Sequence, residues 1–332
     1  MPASLDVLAI GNAIVDVLAR AEADFLAAHG MAKGAMALID EAGAHRLYAA
    51  MGPGTEASGG SAANTAAGIA SLGGAAGFIG KVKADGLGTV FAHDIRAAGV
   101  TYATPAAEDG PATARCLILV TPDGERTMNT YLGAAQNLTP ADIDPALVES
   151  AAITYLEGYL WDPPPAKEAF LAAAKIAHNA GRKVALSLSD AFCVDRYRAE
   201  FLHLIRSGTV DLVFCNEAEL KSLYETADFD SALTALRREA KEAVVTRSEK
   251  GASFVTAGAV VSVPAHPVER VVDTTGAGDL FAAGFLAGAA RGRDPATALR
   301  IGALAAGEII SQLGARPQRP LIDLAREGGL LP

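Results

Sequence analysis

From residue 150 onward, short apolar runs alternate with stretches of helical length, and this alternation limits the chain more than any other feature. ITYLEG (153–158), KVALSLS (183–189), DLVFCN (211–216) and EAVVTR (242–247) read as strands. Helical stretches separate them: one after Pro163-Pro164-Pro165 running to about Ala180, one over 196–207 and one from about 217. Strands alternating with helices in this way predict an α/β class with a mainly parallel sheet covered on both faces. The N-terminal part has the same texture. A strand over Leu5–Ile10 ends at Gly11, an Ala-rich helix over 61–72 stops at Gly73-Gly74, a strand follows at 76–80, and a helix over 87–98 ends at Gly99. Two short strands near 252–255 and 259–263 predict a hairpin, and helices at about 279–291 and 295–312 complete the core.

Two stretches break the pattern. ARCLILV (114–120) and RTMNTY (126–131) flank Thr121-Pro122-Asp123-Gly124-Glu125, where Pro presets φ and Gly accepts a positive φ. That is an antiparallel hairpin inside an alternating chain. Region 12–58 also mixes short apolar runs (Ile14–Leu18, Ala35–Ile39) with Gly-rich breaks. We therefore expect a large α/β domain from 1–11, 59–110 and 134–332, and a small β lid from 12–58 and 111–133 over the strand ends.

Composition excludes several functions. The 332 residues are 51% hydrophobic and 20% charged, richer in apolar residues than a disordered chain. A net charge of −10 argues against a general nucleic-acid binder, which needs cations for phosphate. Cys116, Cys193 and Cys215 are odd in number and show no ligand spacing, so each is expected to be a buried free thiol in a reducing cytoplasm. The N-terminal MPASLDVLAIGNAIVD has no basic n-region, and no uninterrupted apolar stretch reaches the length of a membrane span.

The 34 glycines cluster. Ser58-Gly59-Gly60-Ser61-Ala62-Ala63-Asn64-Thr65 stands where the 61–72 helix begins. The glycines allow close approach of a ligand, and Ser61 and Asn64 add short polar groups; a loop with Ser61 as helix cap is the plainer reading. Asp273-Thr274-Thr275-Gly276-Ala277-Gly278-Asp279 runs into the apolar LFAAGFLAG. A Gly-rich turn entering a helix N-terminus is an anion site, because free N–H groups and the helix dipole converge there. Asn216-Glu217-Ala218-Glu219 reads either as a capping box or as oxygen ligands for a hydrated Mg²⁺. Asn12 and Asp16 follow the first strand, and Asp16 is either an acceptor for two adjacent sugar hydroxyls or an exposed lid residue. No GxxxxGK[ST], GxGxxG, GxSxG or HExxH occurs, and the six histidines form no ligand pair. Phosphate binding without a P-loop, with a carboxylate beside the anion turn, points to another kind of kinase.

GGSAANTA and DTTGAGDLFAAGF resemble the two signatures of the ribokinase-like (PfkB) carbohydrate kinases, and NEAE matches that family's N-x-x-E. Within the family the chain looks most like the adenosine kinases, through GNAIVD, EASGGSAANT, YLGAAQNL, YLEGYL, LSLSDAF and DLVFCNEAE. The resemblance implies a ribokinase-like three-layer sandwich and transfer of the ATP γ-phosphoryl to the 5′-hydroxyl of adenosine, with ribose, fructose or another nucleoside as the alternative acceptor. It implies Asp279 as base and the N–H groups of Gly276, Ala277 and Gly278 as anion hole. Asn12, Asp16, Gly59, Gly60, Ser61 and Asn64 would hold the acceptor. Asn216, Thr246, Gly251, Thr275, Gly276 and Gly278 would hold ATP, with Asn216 and Glu219 reaching Mg²⁺ through water. The resemblance also allows a monovalent cation, K⁺, near Asp273, Thr275 and the 312–316 loop. A monomer or homodimer is implied, with no nucleic-acid or membrane partner. Arg126 reads either as a phosphate contact from the lid or as an exposed strand residue. Two departures stand out: Lys83 replaces a glycine in GKVKADGLG, and the Gln-Asn of GAAQNL is unusual.

Overall fold

Apolar side chains on both faces of a strand force it between two helical layers, and the central strands here are of that kind. The computed structural model describes residues 3–332. Leu5–Ile10, Ala76–Ile79, Ala151–Glu157, Lys183–Ser187, Leu212–Asn216 and Glu242–Thr246 pair in parallel within a nine-stranded sheet. The hairpin Ala252–Val255/Val260–Val263 closes one edge antiparallel, and the two-residue strand Thr101–Tyr102 closes the other. Helices cover both faces. One layer is built around Ser61–Ser71, Ala277–Ala290 and Pro295–Ile310; the other contains Pro164–Asn179 and Ala191–Arg206. The result is a three-layer α/β sandwich with a mainly parallel sheet.

Helix starts follow local chemistry. Asp85, Asp190 and Asp294 each accept a backbone N–H from the first turn of their helices. Asp190 starts its helix at Ala191, five residues before the expected 196, because its carboxylate accepts the Cys193 N–H and caps the first turn. The stretch after 217 divides into Glu217–Leu223 and Phe229–Glu239, the second capped by Asp228.

The second sheet has five strands in the order Met36–Leu38, Arg126–Tyr131, Ala114–Val120, Ile14–Arg20 and Gly54–Gly59. The hairpin register places Val120 opposite Arg126, as the Pro-Asp-Gly turn requires. The first stretch also contains helices Ala23–Ala28 and Glu41–Ala50, whose short, weakly patterned sequences do not distinguish them from loop. The strand Gly54–Gly59 carries the small sheet through Gly59 and hands the chain directly to the helix Ser61–Ser71. Among the described residues, no helix is long and apolar enough to cross a membrane.

Candidate active site

The carboxyl ends of the central strands converge beneath the small sheet. They deliver Asn12, Glu157, Asn216 and Thr246, while Ile14–Arg20 brings Asp16 from the small sheet. A central cavity of about 410 Å³ is lined by Asp16, Gly60, Ser61, Asn64, Asn216, Glu219, Thr246, Thr275, Gly276, Ala277, Gly278 and Asp279. On one side it continues, through Ile14, Ser61, Thr130 and Tyr159, into a second cavity of about 580 Å³ that includes Asn12. On the other it shares Asn216, Thr246, Ala277, Gly278 and Phe281 with a slot of about 270 Å³ that includes Gly251. Asp279 stands midway along this trough.

Gly276 precedes the helix Ala277–Ala290 in a left-handed conformation (φ 79°), and no side chain caps the helix. A Cβ at Gly276 would stand 2.8 Å from that of Ala315, so the turn tolerates no side chain. The Ala277 N–H donates to the Thr274 carbonyl at 3.2 Å. The free donors are therefore those of Gly276, Gly278 and Asp279, which modifies the expected trio of Gly276, Ala277 and Gly278. The Asp279 carboxylate accepts from Ser61 Oγ at 2.6 Å and Asn64 Nδ2 at 2.9 Å. Burial raises its pKa, opposed by those two bonds and by the charge of Arg316.

Ser61 is not the helix cap. That position belongs to Gly60 (φ 95°), which frees the Ser61 hydroxyl for Asp279. Gly59 lies against the Asp16 carboxylate, where any Cβ would collide. Asp16 lines the cavity rather than the outer surface. Burial raises its pKa to about 6, against the pull of Arg316 and Arg126.

Asn216 and Glu219 form a full capping box: Asn216 Oδ1 accepts from Glu219 N at 2.9 Å and Glu219 Oε2 from Asn216 N at 3.0 Å. Both also line the central cavity, so the capping role leaves the pair beside open space. Burial lifts the Glu219 pKa to about 7. An oxygen donor pair on an open cavity suits a hydrated Mg²⁺, whose charge would draw that carboxyl back to its ionised form. Asp273 accepts from Thr275 N–H at 3.0 Å and Gly314 N–H at 2.9 Å, and is paired with Arg126 at 2.9 Å. Arg126 is only 8% exposed, which removes the exposed-strand reading.

Two important side chains escaped the sequence reading. Glu157, 1% exposed at the end of its strand, accepts from Asn12 Nδ2 at 2.6 Å and from the Ala62 N–H at 2.9 Å. Burial raises its pKa to about 7. Its signal was an acid ending an apolar strand, inside the YLEGYL segment. Arg316 donates to the carbonyls of Ala63 and Ser58 at 2.9 and 2.8 Å, and its charge acts on Asp16 and Asp279. No local pattern marks it. Lys83 does not reach the cavities; its Nζ closes on the Gly110 carbonyl at 2.7 Å, and its backbone needs no positive φ. Gln136 lines the 580 Å³ cavity. The three cysteines are free and buried.

A carboxylate held at an open helix N-terminus, beneath a small sheet at the strand ends of an α/β sandwich, defines a phosphotransferase acting on an alcohol group. Comparison with known proteins agrees. Residues 49–321 match the pfkB family carbohydrate kinase, and the chain belongs to that family. The solved structure of adenosine kinase from Sinorhizobium meliloti is 56% identical, with a TM-score of 0.91, covering 98% of this chain and 100% of that one. Adenosine kinase of Saccharomyces cerevisiae is 27% identical over 92% of this chain and 94% of its own. Fructokinase-1 of Oryza sativa subsp. japonica is 30% identical over 70% and 73% respectively. As a family kinase the protein uses ATP and Mg²⁺, with a nucleoside or sugar as acceptor.

Proposed function

We propose that the protein transfers the γ-phosphoryl group of ATP to the 5′-hydroxyl of adenosine, giving AMP and ADP. One observation carries the choice of acceptor. The 580 Å³ cavity has polar groups at one side, Asn12 on Glu157 and Ser61 on Asp279, and it also presents Met36, Leu38, Tyr159 and Phe192, set beside the charged Asp162, Asp190 and Arg196. Met36, Leu38 and Phe192 are more than half exposed, at 51%, 59% and 66%. A ribose with a planar base offers a partner to both sets of side chains, whereas a hexose leaves Met36, Leu38, Tyr159 and Phe192 uncovered. The identity to the Sinorhizobium protein, named adenosine kinase, supports the same acceptor.

In this reading Asp279 takes the hydroxyl proton as the phosphoryl group leaves ADP. The free N–H groups of Gly276, Gly278 and Asp279 receive the equatorial charge, with Ala277 completing the turn. Positioning and electrostatics dominate such transfers, and each aligned donor is worth about 3–4 kcal/mol. Asp16, Asn12, Gly59, Gly60, Ser61 and Asn64 surround the ribose. Thr246, Gly251, Thr275 and Asn216 line the nucleotide side. Asn216 and Glu219 would hold a hydrated Mg²⁺, which would supply neutralising charge to the phosphates when bound.

A sugar acceptor is the second reading, favoured by the fructokinase match. ATP consumption by purified protein against adenosine, other nucleosides, ribose and fructose separates the two. Adenosine is expected to give the highest kcat/KM. Strong turnover of a hexose with none of adenosine overturns the proposal.

A further inference from the structure

Asp273 opens the anion turn, and both of its oxygens are occupied. Oδ1 accepts the Thr275 N–H at 3.0 Å; Oδ2 accepts the Gly314 N–H at 2.9 Å and the Arg126 guanidinium at 2.9 Å. The two side chains are each 6% exposed, so the pair is nearly dry. Arg126 begins the second strand of the hairpin in the small sheet, and Asp273 belongs to the large domain. Among the described residues this is the one salt bridge joining the small sheet to the rest of the molecule. Arg126 is not among the side chains lining the central cavity or the two flanking it. Its Nε and Nη2 are buried without a partner among the described residues, so Asp273 is its one ion-pair partner there, although its charge also acts on Asp16.

A carboxylate in this position, with a helix N-terminus and a phosphate site a few residues on, requires a positive counter-charge. A buried anion without one is strongly disfavoured. A bound monovalent cation is one source, and a side chain is another. We propose that Arg126 takes the place of a monovalent cation at Asp273, so that phosphoryl transfer proceeds without added K⁺. The same contact ties the anion turn to the small sheet: the loop carrying Gly276 and Gly278 is held at full charge balance only while the hairpin is docked.

The test compares wild type and Arg126→Ala in choline chloride and in KCl of equal ionic strength, reading both turnover and the thermal unfolding midpoint. Turnover uses whichever acceptor the protein phosphorylates, and the midpoint needs none, so failure of the adenosine reading leaves the test intact. Wild-type turnover is expected to agree within about twofold between the salts, with an unchanged midpoint. Arg126→Ala uncovers the Asp273 carboxylate, and K⁺ is expected to raise its turnover about tenfold over choline and to raise its midpoint. Wild-type activation of about fivefold or more by K⁺, with a higher midpoint, overturns the proposal. So does an Arg126→Ala protein that is equally slow in both salts.

Discussion

Two helices in this molecule begin in the same way and end up with different work. Ser61–Ser71 and Ala277–Ala290 each follow a left-handed glycine, Gly60 or Gly276, and neither has a side-chain cap. At the first helix the positive end is stopped from inside the protein: the Glu157 carboxylate accepts the Ala62 N–H. At the second, the N–H groups of Gly278 and Asp279 meet no acceptor among the described residues, and Gly278 faces both the central cavity and the slot beside it. A glycine turn at a helix start is thus a potential anion site that stays open only where the fold supplies no acid of its own. The side chains Ser61 and Asn64 then bind the two starts together through Asp279.

The largest expected effect falls on the carboxylate at the open start. Asp279→Asn keeps the shape and both partners but loses the base, and kcat should fall by roughly 10²–10⁴. Its unfolding midpoint should stay at or above that of wild type, because a desolvated charge is removed. Near-normal turnover would remove Asp279 from the chemistry.

The next pair of variants distinguishes an open start from a merely strained one. Nothing lies within 4 Å of a Cβ built on Gly278. Gly278→Ala should leave stability within about 0.5 kcal/mol while its methyl enters the cavity and lowers kcat/KM for ATP. One displaced donor corresponds to a loss of about 10²-fold. Gly276→Ala must place a side chain at φ 79° and against Ala315, so it should lower both stability, by about 1–2 kcal/mol, and activity. If Gly278→Ala is fully active, the second helix start does not face phosphate and the contrast with the first disappears.

The closed start makes a pH-dependent statement. Glu157 has its pKa raised from 4.5 to about 7, so the folded protein holds this proton more tightly than the unfolded chain. Stability from this group is full below the unfolded value, falls as pH rises from about 4 to about 7, and is level above that. Glu157→Gln should flatten that part of the stability profile measured by denaturant unfolding. Its Oε1 can still accept the Ala62 N–H, and rotation of the Asn12 amide would offer the unpaired Oδ1 to the new amide hydrogens, so the cost should be only about 1 kcal/mol. An unchanged slope would mean that Glu157 is already ionised at acid pH. Activity has a separate acid limb. Burial pushes the Asp16 pKa up to about 6, and kcat/KM should drop as pH falls through that value.

The architecture was legible because its signals are local. Apolar strand periods, Gly stops and the Pro122-Asp123-Gly124 turn each lie within one element, and parallel pairing follows from their order. The glycine turn into the helix Ala277–Ala290 was legible for the same reason, since its seven residues are contiguous. Glu157 and Arg316 were not, because they meet Ala62 and Ala63 across 95 and 253 residues. Ser61 was half legible: its place at a helix start was plain, but the positive φ of Gly60 that releases it from capping is a tertiary constraint. The helices Ala23–Ala28 and Glu41–Ala50 are short, and helices of that length depend on packing more than on propensity.

The smallest expected effect bears on the link between the two helix starts. Ser61→Ala removes the 2.6 Å donor to Asp279 and leaves Asn64 in place. The hydroxyl favours the ionised carboxylate, so its loss should push the Asp279 pKa further up. The consequence is confined by pH. Where Asp279 is fully ionised in both proteins, kcat should change little; toward acid, the variant should lose activity first, with its limb displaced upward. The KM for the acceptor rises in parallel only if Ser61 also touches substrate. A profile that falls by the same factor at every pH would assign Ser61 to substrate contact alone, and the two helix starts would then act independently.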